Sequence, residues 1–516
     1  MDDKKKEQPA DLKALSQTAL TVVTALVSGV VLMLAGCASP QGIAPTKQLQ
    51  TGAAASASDT PWPAADWWQV YGDKPLDALV QQAVGGQPSL QTAQARLRQA
   101  QAAVDASIAA RGPQINGSVN LTDQRFSEHG LVPPPYAGQV KWTADATIGA
   151  SWELDLFGRQ RAALDAAVGQ LRAAQAETQS ARVLLASNVV AGWFNLARLD
   201  EAREIAAQSL QQREQVLALV RQRIAAGLDT TVELRQAEGL IAQSRVDVEA
   251  LDEQIARTRH ALAELSGQKP NALDAAKPML ATLRDVALPA TVPADLLGRR
   301  ADLVAQRWRV EAALRDVDLA RAQFYPNINL AAFVGLSSLG LSHFVEAGSL
   351  TYGGGPALTL PIFDGGRLRA NLGAKSAEVD AAIDGYDGTL LRALREVADE
   401  LDSLRLLARQ QAAQNDASAA AESAYALSLQ RYQAGLGNFL VVLNAESTVL
   451  AQRRAGTDLK ARRLAADVAL QRALGGGYLA EALPDLTHPR SGVAAPPQGG
   501  TASGLAEPDP RRSLGT

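Results

Sequence analysis

The feature that most restricts the fold is an internal repeat. RQRIAAGLDTTVELRQAE, from Arg221 to Glu238, returns as LQRYQAGLGNFLVVLNAE, from Leu429 to Glu446. Gly227 and Gly435 lie 208 residues apart, and the same spacing carries Gln222, Arg223, Ala226, Leu228, Ala237 and Glu238 onto Gln430, Arg431, Ala434, Leu436, Ala445 and Glu446. Upstream, Gly158, Arg159, Arg161 and Ala162 fall on Gly366, Arg367, Arg369 and Ala370 at that spacing. Further upstream, Val104, Asp105, Pro113, Ile115 and Asn116 fall on Val317, Asp318, Pro326, Ile328 and Asn329 at a spacing of 213. The chain is two copies of one long unit that differ in a loop, 75–267 and 294–475, joined by a linker over 268–293.

Each copy changes period along its length. In the first, Leu90, Ala93, Leu97, Ala100 and Val104 step by three and four, which predicts one helix from about Pro75 to Arg111 that Pro113 ends. In TADATIGASWELDLF, Ala144, Ala146, Ile148, Ala150, Trp152, Leu154 and Leu156 then alternate with polar residues, which predicts a long strand. A strand of this length reaches about 45 Å, enough to cross a bilayer when tilted. Ile115, Gly117, Val119 and Leu121 mark its partner, and RFSEHGLVPPPYAGQ reads as the loop between them. In the second copy Ile328, Leu330, Ala332, Val334 and Leu336 form one strand, and Leu358, Leu360 and Ile362 the other. Four strands with a lipid-compatible face cannot close a transmembrane barrel, so several chains must contribute to one.

The rest of each copy is helical. No proline interrupts Arg159 to Ala226, where Leu196, Leu210, Leu217 and Ile224 recur in sevens with Leu199, Ala206 and Val220 interleaved, and Arg203 and Arg213 interrupt the seam. At about 1.5 Å per residue this helix approaches 100 Å. The chain turns at AAGLDTT and returns from Val232 to about Ser266; Gly227 suits the helix end, and Asp229 and Thr230 suit the next start. Aromatic residues at 4 % beside hydrophobic residues at 47 % fit long small-residue helices more than a bulky globular interior. A net charge of −4 without a basic stripe excludes nucleic acid as a partner. The four histidines are scattered without metal-ligand spacing, so neither a metal nor another cofactor is expected.

The single cysteine, Cys37, closes a charged lead and an apolar run with LAGC. An inner-membrane anchor is the plainer reading of such a run. Ala35 and Gly36 before Cys37 resemble the lipobox of bacterial lipoproteins, which implies removal of 1–36 as a signal peptide, a covalent lipid on Cys37 and, with Ala38 next, delivery to the outer membrane. A lipidated tether over 37–74 would follow, and the Pro- and Gly-rich tail, 476–516, reads as disordered.

The duplicated tips, LDLFGRQR and the segment LPATVPADLLGRRADL from Leu288 to Leu303 together resemble the TolC-like outer-membrane efflux proteins, in the lipidated branch serving resistance-nodulation-division pumps. Ala301 stands where that segment normally has proline. The resemblance covers Trp67 to Leu474 and implies a trimer, with a twelve-stranded β-barrel of four strands per chain in the outer membrane and a long periplasmic α-helical barrel. It implies a passive duct, not an enzyme, for small toxic compounds delivered by an inner-membrane transporter through a periplasmic adaptor. Arg223, Gly227, Leu228, Arg431, Gly435 and Leu436 would then dock the adaptor. The gate would comprise Asn444, an apolar ring of Val441 and a hydrogen bond from Tyr432 to Glu233, without the carboxylates relatives often place at positions 441 and 444. Type I protein secretion or metal export would use the same fold. A lipid-anchored coiled-coil adaptor would explain the helices but leave the strands idle. Glu153, Asp155 and Asp364 are expected to face a water-filled lumen.

Overall fold

The computed structural model describes residues 39–49, 63–284 and 300–478. The signal peptide, Cys37, part of the linker and nearly all of the tail lie outside them. The described elements run α1 (Lys74–Gly86), α2 (Pro88–Ala110), β1 (Gln114–Arg125), β2 (Val140–Leu154), α3 (Arg159–Ala225), α4 (Thr231–Leu265), α5 (Ala301–Ala322), β3 (Asn327–Leu339), β4 (Leu350–Thr359), α6 (Arg367–Gln433) and α7 (Phe439–Ala473). The helix expected from Pro75 to Arg111 is two helices. Pro88 has no N–H to continue the first, but suits the opening turn of the second, where Gln87 caps the Ser89 amide.

The four strands form one antiparallel sheet in the order β1-β2-β3-β4. Its register aligns the apolar positions in rows: Val119, Ala146, Leu336 and Leu350 lie side by side, as do Gly117, Ile148, Val334 and Tyr352. The opposite face is hydroxylated and acidic, with Ser118 and Thr147 hydroxyls 2.8 Å apart and Ser337 donating to Asp145 at 2.6 Å. Strand β4 stops at Thr359, so Leu360 and Ile362, expected in it, fall in the connection to α6. Among the described residues the outer edges of β1 and β4 have no partner, and the apolar rows are exposed, with Val119 at 78 % and Tyr352 at 76 %. An open sheet with an uncovered apolar face is unstable in water and needs both lipid and further strands.

Two antiparallel hairpins of long helices, α3/α4 and α6/α7, run from the sheet. At 67 residues, α3 and α6 are each about 100 Å long. Their starts are tied to the sheet by carboxylates that the sequence placed in a lumen. Asp155 accepts from the Gln160 and Arg161 amides at 3.1 and 2.8 Å, and Asp364 from Gly366 and Leu368 at 3.0 and 2.9 Å. Glu153 instead pairs with Arg159. These amides have no intrahelical acceptor and carry the positive end of the helix dipole, so the acids are fixed by the helices themselves.

The broadest core wraps the waist of α3. Trp67, Trp68, Tyr71, Leu76 and Val80 pack there with Val189, Phe194, Leu196, Leu262 and Leu464. Trp67 to Tyr71, read as tether, is therefore part of the core. The stretch 39–49 is also seated: Asp380 on α6 accepts from the Thr46 amide and hydroxyl and the Lys47 amide, Lys47 pairs with Asp384, and Ile43 and Leu49 pack on the Val379 and Ile383 cluster.

Candidate functional site

At the ends of the two hairpins a buried cluster joins polar side chains from both repeats. Each first helix ends on a glycine in the left-handed region, Gly227 at φ 71° and Gly435 at φ 76°. The next amide closes back on the helix, Leu228 to the Arg223 carbonyl at 2.9 Å and Leu436 to the Arg431 carbonyl at 2.8 Å. This six-to-one closure requires a residue without Cβ strain at the glycine position. It turns the following side chain outward, leaving Leu228 63 % and Leu436 71 % exposed. Thus the same local geometry displays the same apolar side chain twice.

The second helices start differently. Thr230 caps α4 as half of a capping box whose other half is Glu233. Hydrogen bonds from the Thr230 hydroxyl and from backbone amides hold the Glu233 carboxyl below its ordinary range. Asn438 caps α7 by accepting from the Val441 amide at 3.1 Å, and Val441 occupies the position of Glu233 and cannot answer. Glu233 is therefore spent on its own helix, and the expected hydrogen bond from Tyr432 to it is not made.

Tyr432 meets a different acid. Its hydroxyl donates to Asp229, in the tip of the other hairpin. Arg223 donates to both Asp229 oxygens, at 2.9 and 3.3 Å, and to the Tyr432 carbonyl at 2.9 Å, while its guanidinium lies 4.4 Å from the Tyr432 ring centroid. Tyr432 is fully buried, against Val220, Ala237, Phe439 and Val442. Burial and the neighbouring carboxylate both push its phenol up. Burial works against ionised Asp229, but hydrogen bonds from Arg223 and Tyr432 outweigh it and hold the carboxyl below 3.8. The three residues form a clasp between the hairpins of one chain. Asp229 was legible only as a helix starter, because Thr230 beside it is the residue that caps.

Arg431 is exposed, whereas its repeat counterpart Arg223 is buried in the clasp. Val441, 53 % exposed, Asn444 and the neighbouring Leu440 lie uncovered on the first turns of α7. Higher up, Arg213 on α3, read from sequence as interrupting the seam, joins Glu446 on α7 at 2.9 Å and Ser244 on α4 at 2.7 Å.

Capped hairpins whose first helices are about 100 Å long, hung from an open sheet with a lipid-compatible face, define a channel protein of the outer membrane. The chain belongs to the outer membrane efflux protein family, whose sequence pattern matches residues 79–268 and 292–476. It is 38 % identical over 365 residues to the fusaric acid resistance protein FusA of Burkholderia cepacia, covering 68 % of this chain and 69 % of that one. It is 32 % identical over 465 residues to the multidrug resistance outer membrane protein MdtP of Escherichia coli K12, covering 89 % and 95 %. Its fold superposes on the outer membrane protein VceC of Vibrio cholerae with a TM-score of 0.75 at 35 % identity, covering 81 % of this chain and all of that one. The strands are thus in use as a membrane channel, and the coiled-coil adaptor reading is set aside.

Proposed function

We propose that three copies of this chain form the exit duct of a tripartite efflux pump, passing small toxic organic compounds from an inner-membrane transporter and a periplasmic adaptor to the exterior. The observation that carries this is the pair of exposed leucines, Leu228 and Leu436, each held outward by the same helix closure at the far end of a hairpin. Three chains would present six such tips, a repeated apolar docking surface for an adaptor. Three chains would also supply twelve strands, enough to close a barrel. The names of FusA and MdtP favour drug-like organic cargo over secreted proteins.

In this reading the Arg223, Asp229 and Tyr432 clasp, with Val441 and Asn444 around the axis, holds the tip narrow until the adaptor engages. No catalytic step or cofactor is involved beyond a covalent lipid on Cys37. Arg369, in the first turn of α6 just after the sheet, donates to the Ser39 carbonyl at 2.5 Å, which supports a start of the mature chain at the membrane end of the helices.

The purified chain, reconstituted in a planar bilayer, is expected to conduct as a trimer, and to restore drug resistance in an outer-membrane-channel-deficient host supplied with a matching pump and adaptor. Absence of both conductance and resistance would overturn the duct. Mass spectrometry of the membrane fraction tests the anchor, and an unmodified Cys37 would remove it.

A further inference from the structure

The face of the sheet that turns away from lipid carries hydroxyls, amides and acids, among them Asn116 and Ser118 on β1, Thr147 on β2 and Ser337 on β3. Phe333 departs from this pattern. It is the one aromatic side chain on that face among the described strand residues, and it is 46 % exposed. The register places it in a row that reads Asn116, Gly149, Phe333 and Gly353 from β1 to β4. A ring in a polar wall is thus bordered on both neighbouring strands by residues without side chains.

The two bordering glycines have different causes. A Cβ on Gly353 would stand 2.9 Å from Cε1 and 3.1 Å from Cζ of Phe333, so the ring leans over β4 and glycine there makes room for it. Gly335, next on the same face of β3, is required by strand packing, since a Cβ would collide with the Ala146 carbonyl oxygen. Gly149 has neither reason. Its φ lies outside the left-handed region, and a Cβ there would meet only the Ala332 carbonyl oxygen, at 3.9 Å. A glycine inside a strand weakens it, and it marks a point where something else approaches the backbone. No side-chain atom lies within 4 Å of that point. The open side of the Phe333 ring flanks it on β3. On β1 the flank is Asn116, which is exposed and whose amide makes no hydrogen bond among the described residues.

Neighbouring strands lie about 4.8 Å apart. A flat ring resting over Gly149 would therefore sit one strand spacing from Phe333, inside the roughly 4.5–7 Å between centroids that aromatic pairs adopt. Its far edge would face the Asn116 amide, which can both donate to and accept from a ring substituent. Resting on the duct proposed above, we propose that Gly149, Phe333 and Asn116 form a cargo subsite in the lumen of the barrel that takes planar aromatic compounds. Each chain of the duct contributes one. Because Phe333 leans along the wall over Gly353, it retains such cargo without closing the passage. One aromatic pair lengthens residence by about three- to tenfold, so cargo is held briefly and released. Aliphatic compounds, with no ring to stack, pass without this delay.

Single-channel recording of the full-length protein tests this with two cations added on the extracellular side: ethidium, which is planar and aromatic, and tetrapropylammonium, which is neither. Ethidium is expected to interrupt the current in brief blocks. Phe333→Leu keeps an apolar side chain but removes the ring, and should shorten those blocks by about three- to tenfold. Phe333→Trp should lengthen them. Gly149→Val fills the slot with a residue that suits a strand, and should shorten them with Phe333 still in place. Tetrapropylammonium blocks should follow none of these changes. Ethidium blocks of unchanged length in Phe333→Leu and Gly149→Val would overturn the subsite while leaving the duct standing. Equal shortening for both cations would overturn it too, as a change of pore width. A parent chain that conducts no ion overturns the duct and the subsite with it. If the Phe333 variants do not insert, the series at position 149 decides: block length should fall from glycine to alanine to valine, and the absence of that gradation would refute the slot.

Discussion

The guanidinium of Arg223 covers the ring of Tyr432 at 4.4 Å and donates to that residue's own carbonyl at 2.9 Å, so one side chain holds both the ring and the backbone of the opposite hairpin. Asp229 completes the contact by accepting from both. Tyr432→Phe keeps the ring under Arg223 and loses only the phenol's hydrogen bond. It should raise the open fraction in single-channel recordings by about tenfold, since a hydrogen bond to a charged group contributes roughly 1.5 kcal/mol. Asp229→Ala should raise it further, because it leaves the Arg223 charge without its partner. Glu233→Gln should leave gating unchanged, as that side chain serves its own helix. Equal effects of Glu233→Gln and Tyr432→Phe would return the gate to the Glu233 reading.

Acid sensitivity follows from the same carboxylate. The clasp depresses the Asp229 pKa below 3.8. A depressed carboxyl pKa stabilises the clasped form fully above the unclasped value, and that contribution is lost as pH falls through the lower, clasped value. Channel closure should therefore hold from neutral pH down to about pH 4 and weaken only below it. Asp229→Asn should remove the acid-dependent step. A transition near pH 6 in bilayer recordings would point to another group.

Adaptor docking makes a separable prediction. Leu228 and Leu436 are held outward by backbone closure alone, so Leu228→Ser with Leu436→Ser should spare helix content, trimer yield and bilayer conductance. Resistance in cells should fall, because burying a leucine on a partner contributes about 1.5–3 kcal/mol per side chain. Loss of conductance together with resistance would show that these leucines act on the pore and not on docking. Gly435→Val should impair both, since φ 76° is costly for a β-branched residue.

What the sequence made legible was local. Periodicity and the repeat located the strands, the long helices and their glycine turns, because side-chain alternation and caps depend on residues within a few positions of one another. Contacts across the chain were not legible. Thr46 reaches Asp380, 334 residues away, and nothing in a run of small and polar residues distinguishes a seated strap from a loose one. Asp155 and Asp364 read as pore residues because an acid after a strand has the same pattern whether it faces water or a helix end. Tyr432 was recognised at the tip but given the wrong acid: the capping box that consumes Glu233 is a local signal, while the approach of Asp229 depends on how two hairpins cross.

Arg213 and Glu446 provide the last prediction, which concerns stability. Their side chains are 14 % and 6 % exposed and their nitrogen and oxygen lie 2.9 Å apart between α3 and α7, with Ser244 and the Leu240 carbonyl taking the second guanidinium nitrogen. Removing one member leaves the other charged and largely buried, so Arg213→Ala or Glu446→Ala should cost about 3–5 kcal/mol. Replacing both with apolar residues of similar volume, Arg213→Met with Glu446→Leu, should recover most of that loss, because the desolvation of two charges is relieved along with their attraction. The repeat supplies an internal control. Glu238 occupies the matching position in the first copy, but it lies beside Arg221 and Arg235 of its own hairpin at 3.7 and 2.8 Å, and Arg235 is 79 % exposed. Glu238→Ala should therefore cost about 0–1 kcal/mol, as exposed pairs do. Thermal unfolding of the helical signal in detergent measures all four variants. Equal losses at Glu446 and Glu238 would show that the seam does not depend on its buried pair.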